Sequence, residues 1–288
     1  MKVARSPEEL EPARRAAAIG TFDGVHLGHR QVLGAALGAG LTSTVVTFDP
    51  HPRSVLGGGV ELLTTLERRL ELLEELGFDE AVVVQFDLEL AQTPPEAFAE
   101  RYLLAAGVEV VAAGATFRFG HRRAGDLALL ERLGLDVRAV PLLEGVSSTA
   151  IRELLRAGDV VGAARMLGRP PEVEGAVVGG DARGETLGFP TANLRGDPAL
   201  LVPAHGIYAG AALGTRAAIS IGVNPHYGGR ERRVEAFLLD FDGDLYGRRL
   251  VVELWRRLRD ERAFEDEAAL VAQIARDVEQ TRTADPPV

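Results

Sequence analysis

Five short, valine-rich apolar runs alternate with helical patterns through the first half of the chain, at 16–22, 43–48, 81–86, 108–113 and 136–141. Strands that read as continuous apolar stretches are buried on both faces. Helices must then cover both faces of the sheet, and β-α-β crossovers make neighbouring strands parallel. The pattern predicts an α/β, doubly wound, Rossmann-like sheet whose ligands bind at the carboxyl ends of its strands. Between the runs, Leu66, Leu70, Leu73 and Leu76 recur at helical spacing, and Gly77 ends that helix. Thr93-Pro94-Pro95-Glu96 reads as a capping box with proline in the first turn.

Near residue 170 the texture changes. Arg169-Pro170-Pro171-Glu172 has the composition of a linker, which predicts one domain over 1–169 and a second over 170–288. Runs at 173–179, 206–213, 217–223, 234–241 and 248–255 suit antiparallel strands. Asp242-Gly243, between the last two, is a hairpin signal. An amphipathic stretch near 265–282 predicts a final helix, so the second domain is expected to be an antiparallel β-barrel with a terminal helix.

Composition excludes several classes. With 32 basic against 42 acidic residues the formal net charge is −10, so the chain carries no polybasic footprint for nucleic acid. Lys2 is its only lysine, which excludes a Walker-type phosphate loop. The absence of cysteine removes disulfides, thiolate nucleophiles and Cys-ligated metals, and suits a reducing compartment. No stretch resembles a signal peptide or could span a membrane, so a soluble, cytoplasmic protein with no membrane partner is expected.

Two of the six histidines stand three residues apart in GTFDGVHLGH (20–29), at a strand-to-helix junction. Gly24 and Gly28 allow close approach of the backbone to a ligand. Helical spacing puts His26 and His29 on one face of a first turn, where the macrodipole and free N–H groups favour an anion. One residue capping the helix while the other is solvated would be the plain alternative. A phosphate-binding pair, stabilising charge that builds during displacement, fits the strand, the F-D-G turn and the H-x-G-H together. A second anion site is suggested by VSSTAIR (146–152), where Ser147, Ser148 and Thr149 precede Arg152 at a helix start. Ser148 or Thr149 is expected to cap that helix.

The second half holds GGDARGETLGFPTANL (179–194), in which Thr191 and Asn193 alternate in an extended segment and can present their oxygens on one side. Neutral oxygen ligands suit Mg²⁺ already coordinated by nucleotide phosphates. Glu235 interrupts an otherwise apolar strand, either as a solvated residue or as a functional carboxylate.

H-x-G-H followed by S-S-T-x-I-R resembles the nucleotidylyl transferases. GTFDGVHLGH, FDPHP (48–52), FRFGHRRAGDL (117–127) and ARMLGRP (164–170) resemble their FAD synthetase branch. G-F-P-T-A-N, G-I-Y (206–208), the V-E strand, LDFDGDLYG (239–247) and LRDERAF (258–264) resemble riboflavin kinase. In this order they resemble the bacterial bifunctional riboflavin kinase/FMN adenylyltransferase family. The resemblance implies phosphorylation of riboflavin by ATP to FMN, then adenylylation of FMN to FAD with release of pyrophosphate, Mg²⁺ assisting both.

It further implies ATP contacts from Gly20, Phe22, Asp23, Gly28, Ser147, Ser148, Thr149, Arg152, Gly180 and Gly184. His26 and His29 would be catalytic in adenylyl transfer. Flavin contacts would come from Asp126, Arg122 and Arg259, and Mg-ATP ligands from Thr191 and Asn193. Glu235 would be the general base for the riboflavin 5′-hydroxyl. Thr116, Arg122, Gly179 and Glu185 differ from the residues common at these positions, and are where loss of one activity would show. A non-catalytic flavin-binding protein would not need His26, His29 and Glu235 together. A class I aminoacyl-tRNA synthetase, which shares an H-x-G-H-like motif, would need a lysine loop that this chain lacks. The family includes monomers and homo-oligomers.

Overall fold

The computed structural model describes residues 1–180, 187–223 and 232–288. Its chain divides into two compact units, Met1–Val146 and Ser147–Val288.

The first unit contains β1 (Lys2–Ala4), β2 (Arg15–Ile19), α1 (Leu27–Leu37), β3 (Thr42–Asp49), α2 (Pro52–Val55), α3 (Leu66–Glu75), β4 (Glu80–Gln85), α4 (Pro95–Ala99), β5 (Val108–Gly114), α5 (Leu127–Arg132) and β6 (Asp136–Val140). All its strand pairs are parallel, in the order β1-β4-β3-β2-β5-β6. The order reverses at β2, so the switch-point crevice lies between the carboxyl ends of β2 and β5.

Both faces of the sheet are covered, as continuous apolar strands require. Ala17, Ile19, Val46, Phe48 and Val111 pack with Phe98, Leu103 and Leu130 on one face. Their neighbours Ala18, Val45 and Ala112 pack with Leu33, Ala36, Leu72 and Leu73 on the other. The five expected strands form, and Lys2–Ala4 adds a sixth at the edge. The first expected strand stops at Ile19, short of the predicted 22, because the chain turns left-handed at Phe22 (φ 50°). The capping box is not made. Pro94 is the N-cap of α4, and the Thr93 hydroxyl donates instead to the Glu89 carbonyl at 3.5 Å.

The second unit contains α6 (Ser148–Ala157), α7 (Val160–Leu167), β7 (Glu172–Val178), β8 (Ala192–Arg195), β9 (Gly206–Ala212), β10 (Thr215–Val223), β11 (Arg232–Leu238), β12 (Arg249–Arg259) and α8 (Glu267–Arg282). Its strands close an antiparallel barrel in the order β10-β11-β8-β7-β12-β9. Within this unit Pro170 and Pro171 join α7 to β7, and the Pro171 carbonyl accepts from Leu254 N–H at 2.8 Å. Buried Ala209, Ala211 and Trp255 form a small apolar cluster with Ala284, just past the end of α8.

Asp242-Gly243 does not form a hairpin. β11 pairs with β10 and β8 while β12 pairs with β7 and β9, so the intervening chain crosses between non-adjacent strands. The local turn signal is overridden by barrel closure, which needs β8 beside β11.

Candidate active sites

The GTFDGVHLGH segment leaves β2 at the switch point. Between Phe22 and Val25 the chain is left-handed at Phe22 (φ 50°), Gly24 (φ 84°) and Val25 (φ 42°). Such strain in residues other than glycine persists only where the surroundings hold it. Here they do. The buried Asp23 carboxylate accepts the N–H groups of Leu63 and Thr64 at 2.9 and 3.2 Å, and Gly24 N–H donates to the Thr64 hydroxyl at 3.2 Å. Asp23 thus anchors the turn through backbone.

His26 is the N-cap of α1, its Nδ1 accepting His29 N–H at 3.2 Å. The two imidazoles stack with ring centres 3.5 Å apart and planes at 17°. Phe22 meets His29 edge-on at 5.4 Å, and a Cβ on Gly20 would lie 3.0 Å from the Phe22 ring. A Cβ on Gly28 would lie 3.3 Å from the His26 ring. His26 thus caps the helix, and the two rings stack on each other. Burial foremost, then His26 and Arg69, hold the His29 imidazole well below its ordinary range, and its Nδ1 is enclosed without a hydrogen-bond partner. A neutral His29 imidazole, stacked on His26 at the head of an eleven-residue helix, offers an N–H donor to an anion without two stacked cations repelling each other.

The FRFGHRRAGDL stretch (117–127) follows β5. Phe117 and Phe119 stack at 5.6 Å, and Phe119 bridges to Gly125. Asp126 caps α5 through Leu129 N–H at 3.0 Å and pairs with Arg118 at 3.0 Å. Arg122 is exposed, in a left-handed conformation (φ 52°). Thr116 is also exposed.

In the second unit Ser147, not Ser148 or Thr149, caps α6, its Oγ accepting Ala150 N–H at 3.1 Å. Ser148 and Thr149 occupy the first turn, and Arg152 is buried. The cap falls one residue earlier because Ser147 has the extended backbone a cap requires.

A second cluster forms where β8 meets β11. Glu235 stands in register with Asn193. Val234, Ala236 and Leu238 are buried on one face of β11, leaving Arg233, Glu235 and Phe237 half-buried on the other. The Thr191 hydroxyl donates to Glu235 Oε2 at 3.1 Å. Arg233 Nε donates to Asn193 Oδ1 at 2.9 Å and lies 2.7 Å from Glu235 Oε1. Phe189 packs edge-on against Phe237 at 5.5 Å, seating the G-F-P-T-A-N segment on this face. A Cβ on Gly180 would come within 2.3 Å of Asn193 Nδ2.

Sequence reasoning missed Arg233. The signal was its place two residues before Glu235, hence on the same strand face. Gly184 and Glu185 lie outside the described residues. Arg259 is engaged by the buried Asp277 carboxylate, with Nη2 to Oδ2 at 2.7 Å, and this ties the end of β12 to α8.

Among the described residues no three His, Cys, Asp or Glu side chains gather as a metal site. Thr191 and Asn193 provide neutral oxygens, which fit a hard cation whose charge is met by phosphates rather than by protein carboxylates. No described helix is long and apolar enough to cross a membrane.

A family model described as FAD synthetase matches residues 8–150, and one described as riboflavin kinase matches 167–284. The bifunctional riboflavin kinase/FMN adenylyltransferase of Listeria monocytogenes is 34% identical over 96% of this chain and 94% of its own length. That of Bacillus subtilis is 35% identical, covering 94% and 92%. That of Escherichia coli K12 is 36% identical, covering 90% and 89%. A crystal structure described as a macrolide-efflux protein from Streptococcus pneumoniae superposes with a TM-score of 0.86 at 30% identity, over 98% of both chains.

Proposed function

Because the chain belongs to the bifunctional riboflavin kinase/FMN adenylyltransferase family, we propose that its two sites act in succession on one flavin. It is a transferase of flavin cofactor biosynthesis. ATP phosphorylates the riboflavin 5′-hydroxyl, giving FMN and ADP. An oxygen of the FMN phosphate then attacks the α-phosphorus of a second ATP, and pyrophosphate leaves. Adenylyl transfer is assigned to residues 1–169 and phosphorylation to 170–288.

In adenylyl transfer no side chain need act as a nucleophile, because the FMN phosphate already is one. Catalysis is then positioning and charge stabilisation. His26 and His29, stacked at the head of α1, donate toward the α-phosphate as charge builds there. Gly20, Phe22 and Gly28 shape that turn, and Asp23 fixes it from beneath. Ser147, Ser148, Thr149 and Arg152 are assigned to phosphates of ATP, through hydroxyls, backbone N–H groups and a guanidinium. Asp126 and Arg122 belong to the FMN side.

In phosphorylation Glu235 is the base, accepting the hydroxyl proton as the bond to the γ-phosphorus forms. Thr191 and Asn193 would hold Mg²⁺, which when bound neutralises the nucleotide phosphates. Gly180 and Gly184 are assigned to those phosphates, and Arg259 is the flavin contact. The enzyme is read as cytoplasmic, acting on small molecules and using no nucleic acid or membrane partner.

The observation that carries this reading is the Glu235 cluster. The Thr191 hydroxyl and the Arg233 guanidinium both reach the Glu235 carboxylate, and Arg233 also holds Asn193, which stands in register with Glu235 on the neighbouring strand. The test supplies riboflavin, ATP and Mg²⁺ and separates the flavins by chromatography. His29→Ala stops at FMN, and Glu235→Ala still converts supplied FMN to FAD. Normal FAD formation by His29→Ala, or normal riboflavin phosphorylation by Glu235→Ala, would overturn the corresponding assignment.

A further inference from the structure

α3 buries Leu72 and Leu73 against the sheet, and with them Arg69, which is 3% exposed. An apolar residue on that face would pack without removing a charge from water. Arg69 therefore requires another account, and its contacts supply one. Its Nη1 donates to the carbonyl of Thr21, just past the end of β2, at 2.6 Å. Its Nη2 reaches the carbonyl of Phe48, near the end of β3, at 3.4 Å. Nε is enclosed and has no hydrogen-bond partner. The same stretch of chain holds Asp23 through Leu63 and Thr64 N–H, and Gly24 through the Thr64 hydroxyl. Residues 63–69 thus grip the left-handed turn at positions 21, 23 and 24.

We propose that Arg69 is a positioning residue for adenylyl transfer: its buried fork ties the ends of β2 and β3 together beneath the histidine turn and sets the field in which His29 works. Arg69 does not touch substrate; it acts through the backbone of Thr21 and through charge. The carboxylates of Asp23 and Asp49 act on Arg69 in the sense that keeps it charged, against the effect of burial. The groups bearing on His29 are His26 and Arg69, and both oppose its protonation. A fixed positive charge beneath the histidine turn attracts a polyphosphate while leaving an imidazole N–H of His29 free to donate.

The inference rests on reading His26 and His29 as the adenylyl-transfer pair. Its test uses full-length Arg69→Met and Arg69→Lys, measuring both activities and following the His29 imidazole by NMR from acid to neutral pH. Arg69→Met is expected to lower kcat for FMN adenylylation by at least about tenfold, with little change in KM for FMN. Riboflavin phosphorylation should stay within about twofold, since it is assigned to the other site, and His29 should titrate at higher pH than in wild type. Arg69→Lys keeps the charge but not the two-carbonyl fork, so kcat should fall while the His29 titration holds its place.

Unchanged adenylylation with an unmoved His29 would overturn the proposal. So would equal loss of both activities with an unmoved His29, which would mark a purely structural residue. If Arg69→Met does not fold, full adenylylation by Arg69→Lys is the overturning result. Should His29→Ala retain FAD synthesis, the parent reading fails, whereas the NMR shift still reports the coupling of Arg69 to His29.

Discussion

His29 is half-buried with its Nδ1 enclosed and stacks on a second imidazole, so its proton affinity is tied to the folded state. Its folded pKa is lowered while the unfolded chain keeps the ordinary value near 6.5. Below that value the unfolded state binds a proton that the folded state refuses, so the contribution of His29 to stability is present above it and lost as pH falls. Denaturant midpoints should therefore decline as pH drops from 7 to 5.5, a decline that His29→Gln flattens. A slope identical in the two proteins would show that His29 is not the titrating group.

At the other site Arg233 donates a charge-assisted hydrogen bond to Asn193 Oδ1 and forms an ion pair with Glu235. Arg233→Ala should slow riboflavin phosphorylation by about tenfold through loss of such a bond, and leave FMN adenylylation unchanged. The residue types of this site were legible from sequence, and so was the shared side of Thr191 and Asn193. The bond from Thr191 to Glu235 was not, because the residues lie in separate strand regions whose register is a tertiary matter.

At the scale of elements, the turn after β2 and the loop before β8 depend on glycines at specific places. Gly24 has φ 84°, and a Cβ there would meet Leu63 Cδ1 at 2.7 Å. Gly24→Ala should destabilise the protein by about 1–3 kcal/mol, lowering the Tm by roughly 3–8 °C, and reduce adenylylation more than phosphorylation. Gly180→Ala should do the converse, since its added methyl falls on the Asn193 amide. Comparing the two activities in each variant checks both expectations. α3 was legible because a 3.6-residue apolar period and a stop signal act locally. Arg69 was hidden in the α3 reading, which followed leucines. A charged residue four before Leu73 on the same face was the available signal. β8 escaped notice because it is four residues long and its only buried residue is Leu194.

For the whole molecule, two chemistries assigned to different domains should be separable and recombinable. A mixture of His29→Ala and Glu235→Ala proteins should convert riboflavin to FAD, one variant supplying FMN to the other. FMN accumulating in the mixture, with no FAD, would contradict the assignment.

By itself the sequence determined the parallel α/β half, the antiparallel half and the list of chemical groups, because periodicity, turn residues and motif spacing express local physics. Tertiary structure alone decided which strands became neighbours. It placed β2 at the switch point, inserted β8 between β7 and β11, and set Asp242-Gly243 between strands that do not pair. It also brought Arg69 under the histidine turn and Arg233 onto Asn193 and Glu235. The reason is physical: an apolar pattern specifies which face of an element is buried, but strand order and register follow from closing sheets and cores over contacts far apart in the chain.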